Sequence, residues 1–208
     1  NEIVARTTNT GTARNMVINM GNANANSTTS NFTRGAGAAA NLVEDNSAGG
    51  TAQITLNLNA SSTAAVKDAV IPWMTYGTLS RTATDFASIN TGASNDIRSF
   101  GAIRAAGDFN NNVATWTAAG NISESGGVGF SGTLANSLSL TTLRFDTASE
   151  SIVNLGTNTL TLAAPSLAES AGAILVSTNT GSENKTITGS GAAALTTSGG
   201  RNELVIHQ

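Results

Sequence analysis

The residues able to do chemistry are few and widely spaced. His207 is the single histidine and there is no cysteine, so histidine-based triads, two-histidine metal sites, thiol nucleophiles and cysteine zinc sites are all excluded within one chain. The carboxylates that could converge for acid–base work or calcium binding are Asp85, Asp96 and Asp108, with Arg98 or Arg104 nearby in sequence. Carboxylates spread along an irregular segment are more commonly solvated or paired with arginine, and no second cluster accompanies them. Gly35, Gly37 and Ala40 match the spacing of a dinucleotide-binding loop. That loop must follow an apolar strand and open a helix, yet polar Ser27–Arg34 precedes it, so a turn is expected. Gly126-Gly-Val-Gly129 begins like a calcium-binding nonapeptide, but Ser131 stands where the ligating aspartate belongs, which again predicts a turn. The expectation is a chain with no catalytic, cofactor-binding or metal-ligating residues, and not an enzyme.

Composition supports a folded chain of unusual surface. Charged residues are 11%, against about 25% in ordinary soluble domains, and only 4% are aromatic. Disordered chains are rich in charge and proline, whereas this one has two prolines and many Leu, Ile and Val. A core of thin aliphatic layers follows. Net charge is −3, and Lys67 and Lys185 are the only lysines, so no basic stripe exists to neutralise phosphates and no nucleic-acid partner is expected. No apolar run approaches the roughly 20 residues of a membrane helix. Asn-x-Ser/Thr at Asn26, Asn31, Asn59, Asn121 and Asn184 points only to exposure in an Asn/Thr-rich sequence. Asn1 in place of methionine, and an apparent strand at 203–207, predict a mature product or a fragment of a longer chain.

The elements that would position these residues are short strands. Helical periodicity is nearly absent; the one helix-like stretch, Ala60–Val70, is interrupted by Ser61–Thr63 and stopped by Pro72. Alternating runs recur at 16–20, 53–58, 137–145, 152–155, 159–162, 174–177, 186–188 and 204–207, separated by Gly- and Asn-rich pieces. Leu138, Leu140, Leu160, Leu162, Ile174, Val176, Leu204 and Ile206 are the predicted inward residues. Strand-plus-turn spacing fits a β-sandwich or a β-solenoid, and small turn residues with Asn at strand ends favour the solenoid. Residues 66–112 hold Pro72, Trp73, Tyr76, Phe86, Phe100 and Phe109 and read as an insertion or flank-packing loop region, with Trp73, Phe86 and Phe100 buried.

Several segments also carry a family resemblance. Asn31-Phe-Thr-Arg-Gly-Ala-Gly-Ala38, Ala69-Val-Ile-Pro-Trp73, Asp85-Phe-Ala87 and Ile97-Arg98 follow in order. Val153-Asn-Leu-Gly156, Asn158-Thr-Leu-Thr-Leu162, Thr186-Ile-Thr-Gly189 and Glu203-Leu-Val-Ile-His207 complete the pattern. From about Asn31 onward the chain resembles the autotransporter-associated β-strand repeat surface proteins of bacteria. It departs at Ser190, where that family has glycine, and at Pro165–Ala171, which reads as a small insertion. The resemblance implies a parallel β-helix, export, and a structural or adhesive role at the bacterial surface; it supplies no catalytic residues.

The sequence therefore predicts an all-β fold: one right-handed parallel β-solenoid over 1–208, with the irregular aromatic-containing insertion at 66–112, and a β-sandwich as the alternative. The expected role is a non-catalytic structural or adhesive module, extracellular or on the cell surface. It would associate with itself or with neighbouring solenoid segments through its terminal strands. The alternative is a carbohydrate-active or carbohydrate-binding β-helix protein, for which surface carbohydrate would be the partner.

Overall fold

The computed structural model describes residues 2–7, 15–21, 37–57, 70–90, 97–102, 104–118, 120–163, 171–198 and 203–208, with backbone alone for 15–21 and 56–57. Asp96, Lys67, Gly35, the sequons at Asn26, Asn31 and Asn59, residues 60–69 of the helix-like stretch and 165–170 of the small insertion lie outside them. The described chain is all-β. Its only helical turns are short 3₁₀ segments at Phe100–Ala102, Ala106–Asp108, Val113–Thr115 and Thr178–Thr180. Among the described residues no helix is long and apolar enough to cross a membrane. The chain forms two compact units, 1–103 and 104–208.

The first unit contains β1 (Glu2–Arg6), β2 (Asn15–Gly21), β3 (Ala40–Asp45), β4 (Thr51–Asn57), β5 (Ile71–Gly77), β6 (Asp85–Ile89) and β7 (Ile97–Ser99). Its larger sheet is mixed, in the order β1-β3-β5-β6-β7: the first three strands are parallel, and β5, β6 and β7 form an antiparallel meander. β2 and β4 make a separate parallel pair. Pro72 and Trp73 thus sit within a sheet strand. Phe86 and Phe100 are buried as expected, while Trp73 is half-buried. All five residues of β6 are buried, the pattern of a strand covered on both faces.

The second unit contains β8 (Asn121–Ser123), β9 (Leu138–Leu140), β10 (Thr142–Phe145), β11 (Ser151–Asn154), β12 (Thr159–Ala163), β13 (Gly172–Val176), β14 (Lys185–Thr188), β15 (Ala194–Ser198) and β16 (Leu204–His207). Every pairing between these strands is parallel. One sheet runs β16-β13-β10-β8, a second pairs β11 with β14, and a third runs β15-β12-β9. From β10 onward the chain visits the three sheets in the same cyclic order, each strand pairing with the one from the previous circuit. The bridges Asn112↔Ser131 and Thr133↔Asn154 extend the second sheet backwards. We call each circuit a rung.

Alternation decides which side chains fill the interior. In β12, Leu160 and Leu162 are fully buried, and in β9 Leu140 is. Val153, Leu155, Leu143, Phe145 and Ile174 join them in one cluster, with Leu138, Val176 and Leu204 half-buried against it. Ile206 departs from expectation. It lies in register with Ile174, so Ile122, Leu143, Ile174 and Ile206 form one column, yet it is 62% exposed. The physical reason is its position: β16 is the edge of its sheet, and no described strand covers that end of the column. The core also departs from purely aliphatic layering. Phe130 packs edge-to-face between Trp116 (centroids 5.1 Å) and Phe145 (5.3 Å), pairs worth about 0.5–1.5 kcal/mol each beyond their burial.

Candidate functional site

The most concentrated chemistry in the second unit lies inside it, where three successive rungs meet. Glu124 follows β8 and is fully buried. Just beyond it Ser125 and Val128 bridge across Gly126 and Gly127, whose φ values of 64° and 73° are those a two-residue hairpin turn requires. The turn sends the chain back so that the Phe130 N–H donates to Glu124 Oε1 at 3.3 Å. From the next rung the Asp146 and Thr147 N–H groups donate to Oε2 at 2.6 and 2.9 Å, and the Thr147 hydroxyl at 3.0 Å. Ser151, the first residue of β11, donates its hydroxyl hydrogen to Oε1. Gly129 permits this approach, because a Cβ there would stand 2.5 Å from Ser151 Oγ and 2.0 Å from the Glu150 carbonyl oxygen.

The third rung supplies the cation. Lys185 opens β14 directly in register with Ser151. In β14, Lys185 and Ile187 are half-buried while Thr186 and Thr188 are exposed, so the lysine shares the inward face. Its Nζ donates to Thr147 O at 2.7 Å, Ser149 O at 2.5 Å and Ser151 Oγ at 2.9 Å, and lies 3.5 Å from Glu124 Oε2. The side chains are 6% and 0% exposed. A buried pair is tolerated only when remaining donors and acceptors are satisfied, and here backbone groups from two rungs do so. A second polar column ties the same rungs: Arg144 donates to Ser123 Oγ at 3.2 Å and pairs with Asp146 at 2.5 Å, while Asp146 accepts from Ser177 Oγ at 2.6 Å and Asn179 Nδ2 at 3.0 Å.

The first unit uses the same device. Glu44, near the end of β3, accepts the Ile54 N–H at 2.7 Å and the Tyr76 hydroxyl at 3.0 Å. Burial first, and then the Glu44 charge beside it, push the Tyr76 phenol far above its ordinary value of 10.0. Asp45 accepts from the Ser47 N–H at 3.0 Å and from Arg6 Nε at 2.7 Å. Hydrogen bonds from Ser47, then from Arg6, hold its carboxyl below the ordinary value of 3.8. In each unit, a glutamate at a strand end therefore fastens the segment that follows and a group from a later strand.

The residues singled out from sequence fare differently. Asp85 is buried in β6, with its Oδ1 accepting the Phe86 N–H at 2.7 Å. Asp108 belongs to the second unit and accepts the Ala105 N–H at 3.2 Å. Arg104 donates to Asn121 O at 2.8 Å and lies 5.9 Å from the Phe109 ring centre. His207 is half-buried in β16. No group of three or more His, Asp or Glu capable of holding a metal occurs among the described residues. On the outer face a groove of ≈ 370 Å³ is lined by Phe130, Ser131, Gly132, Thr133, Glu150, Ile152 and Asn154, with Glu150 its one carboxylate. The Glu124–Ser151–Lys185 cluster was missed from sequence. Its one legible signal is Lys185, a charge on the apolar face of an alternating strand.

Comparison with models of protein families, with curated proteins and with solved structures finds no match.

Proposed function

We propose that the chain is a non-catalytic structural segment of a right-handed parallel β-solenoid, serving an extracellular or bacterial cell-surface protein as a stalk or adhesive module. The observation that carries this reading is the second unit's repeated circuit through three parallel sheets in residue-on-residue register, from which the first unit departs in its antiparallel β5–β6–β7 meander. Right-handedness follows the strong preference of parallel crossovers. The non-catalytic reading is supported by where the acids sit: Glu124 is sealed from solvent, and Asp85 and Asp108 accept local backbone hydrogens. The resemblance to autotransporter-associated repeats supports the surface location.

Such a segment lengthens by adding rungs. β16 presents an unpaired edge among the described strands, and Ile206 leaves the apolar column open there. Pairing through that edge, with a second copy or with a neighbouring solenoid segment, is the expected mode of assembly, with little charge to oppose it. Sedimentation across a wide concentration range tests it. Reversible association should appear in the wild type and disappear in Ile206→Lys, which places a charge at the head of the column. A wild-type monomer at every concentration, or equal association by the variant, would sink the assembly reading.

A further inference from the structure

We propose that Lys185 and Glu124 condense spontaneously into an internal amide, joining Nζ to Cδ and releasing one water. The inference is independent of the solenoid and surface reading, since it rests on the cluster's geometry alone. Three features carry it. The reacting groups are confined together: Nζ is 3.5 Å from Glu124 Oε2, and both side chains are cut off from solvent. A proton path links them, because Nζ donates to Ser151 Oγ at 2.9 Å and Ser151 Oγ donates to Glu124 Oε1. An anion site is already assembled: the Asp146 N–H at 2.6 Å, the Thr147 N–H at 2.9 Å and the Thr147 hydroxyl at 3.0 Å all converge on Oε2. Preorganised donors at an oxygen that gains charge are the usual means of stabilising a tetrahedral intermediate.

The steps balance without any outside reagent. One ammonium proton passes through Ser151 Oγ to Oε1, leaving a neutral amine beside a neutral acid. The amine lone pair attacks Cδ, forming the C–N bond while the C=O electrons move to Oε2, where three donors receive the charge. A second proton leaves the nitrogen by the same relay. Oε1 departs as water with both protons, the carbonyl re-forms on Oε2, and one hydrogen remains on the amide nitrogen. Ammonium and carboxylate thus become amide and water. Two effects drive the reaction forward. Holding the partners in place acts as a raised local concentration, an effect that reaches roughly 10⁵–10⁸ M when the reacting atoms become aligned. Exchanging two buried charges for a neutral amide also removes their desolvation cost.

The bond would tie positions 61 residues apart and fasten the first rung to the third. The deciding experiment is the intact mass of the purified, denatured full chain, followed by a tryptic map. The expected mass is one water below that of the sequence. Trypsin should fail to cut after Lys185, leaving a branched peptide that joins the Lys185 and Glu124 segments. Ser151→Ala, with folding verified by Trp116 fluorescence, should slow formation of the bond by roughly 10²–10⁴-fold, the usual worth of a positioned proton carrier. Lys185→Arg should show the full sequence mass. A wild-type chain with the full sequence mass and normal cleavage after Lys185 would overturn the proposal whatever the variants do. A water lost elsewhere would overturn it too, and bond formation by Ser151→Ala at the wild-type rate would remove Ser151 from the relay.

Discussion

At the scale of single residues, Tyr76 gives the most direct handle on the first unit, because it is the only tyrosine in the chain. Its hydroxyl donates to a buried carboxylate, so ionising it would place two negative charges together away from water. The folded form therefore holds the phenolic proton more tightly than the unfolded chain does. Its contribution to stability is fully present below the ordinary value of 10.0 and drains away as pH rises through and beyond it. In an alkaline titration, near-ultraviolet absorbance should show no tyrosinate at about pH 10–11 while the protein stays folded, then a rise coincident with unfolding. Reversible ionisation near 10 in the folded protein would contradict the Glu44–Tyr76 contact. Asp45 acts in the opposite direction: its depressed carboxyl stabilises the fold above the ordinary carboxylate range and ceases to do so as pH falls below it.

At the scale of elements, the contrast between the two faces of a strand sets expectations. Leu160 stacks between Leu138 and Leu195 and is fully buried. Leu160→Ala should cost about 2–5 kcal/mol, whereas Ile152→Thr, at a position 41% exposed on β11, should change stability by less than about 0.5 kcal/mol. Urea unfolding followed through Trp116 measures both, and equal effects would refute the assigned facing. Much of this facing was legible in sequence. The alternation Leu138, Leu140, Leu160, Leu162 is local information, and period two names the inner side without knowledge of the partner strand. What escaped depends on the partner. Ile206 obeys the same alternation, but its exposure is decided by what lies beyond β16. The antiparallel turn into β6 and β7 after the parallel strands β1, β3 and β5 leaves no mark in composition. Glu124, Ser151 and Lys185 are joined only by register, and nothing in the intervening sequence couples them.

At the scale of the whole molecule, strand pairing among the described residues is mostly non-local, the β5–β6–β7 meander being the exception. Partners lie 21 residues apart at Asn121 and Thr142, 35 at Thr161 and Thr196, and 39 at Arg6 and Asp45. Loop closure must precede each gain, so refolding should take milliseconds to seconds rather than microseconds. Trp73 reports the first unit and Trp116 the second, so single-tryptophan variants in stopped-flow refolding give each rate separately. A sub-millisecond phase recovering full fluorescence in either unit would contradict the non-local pairing.

The inequality of those intervals matters beyond folding. Within the second unit, 21 and 35 residues separate residues that pair in register in neighbouring rungs. Pitch is set by the hydrogen bonds between strands, and the excess chain is spent in the excursions between them. The stack behaves as a ruler whose graduations ignore how much thread hangs from each mark. Foreign peptides grafted into an exposed excursion such as the one around Glu183 would be carried outward at a defined height, leaving the graduations above and below undisturbed. Segments of different length and composition would thus be accommodated between the same parallel strands without altering their register.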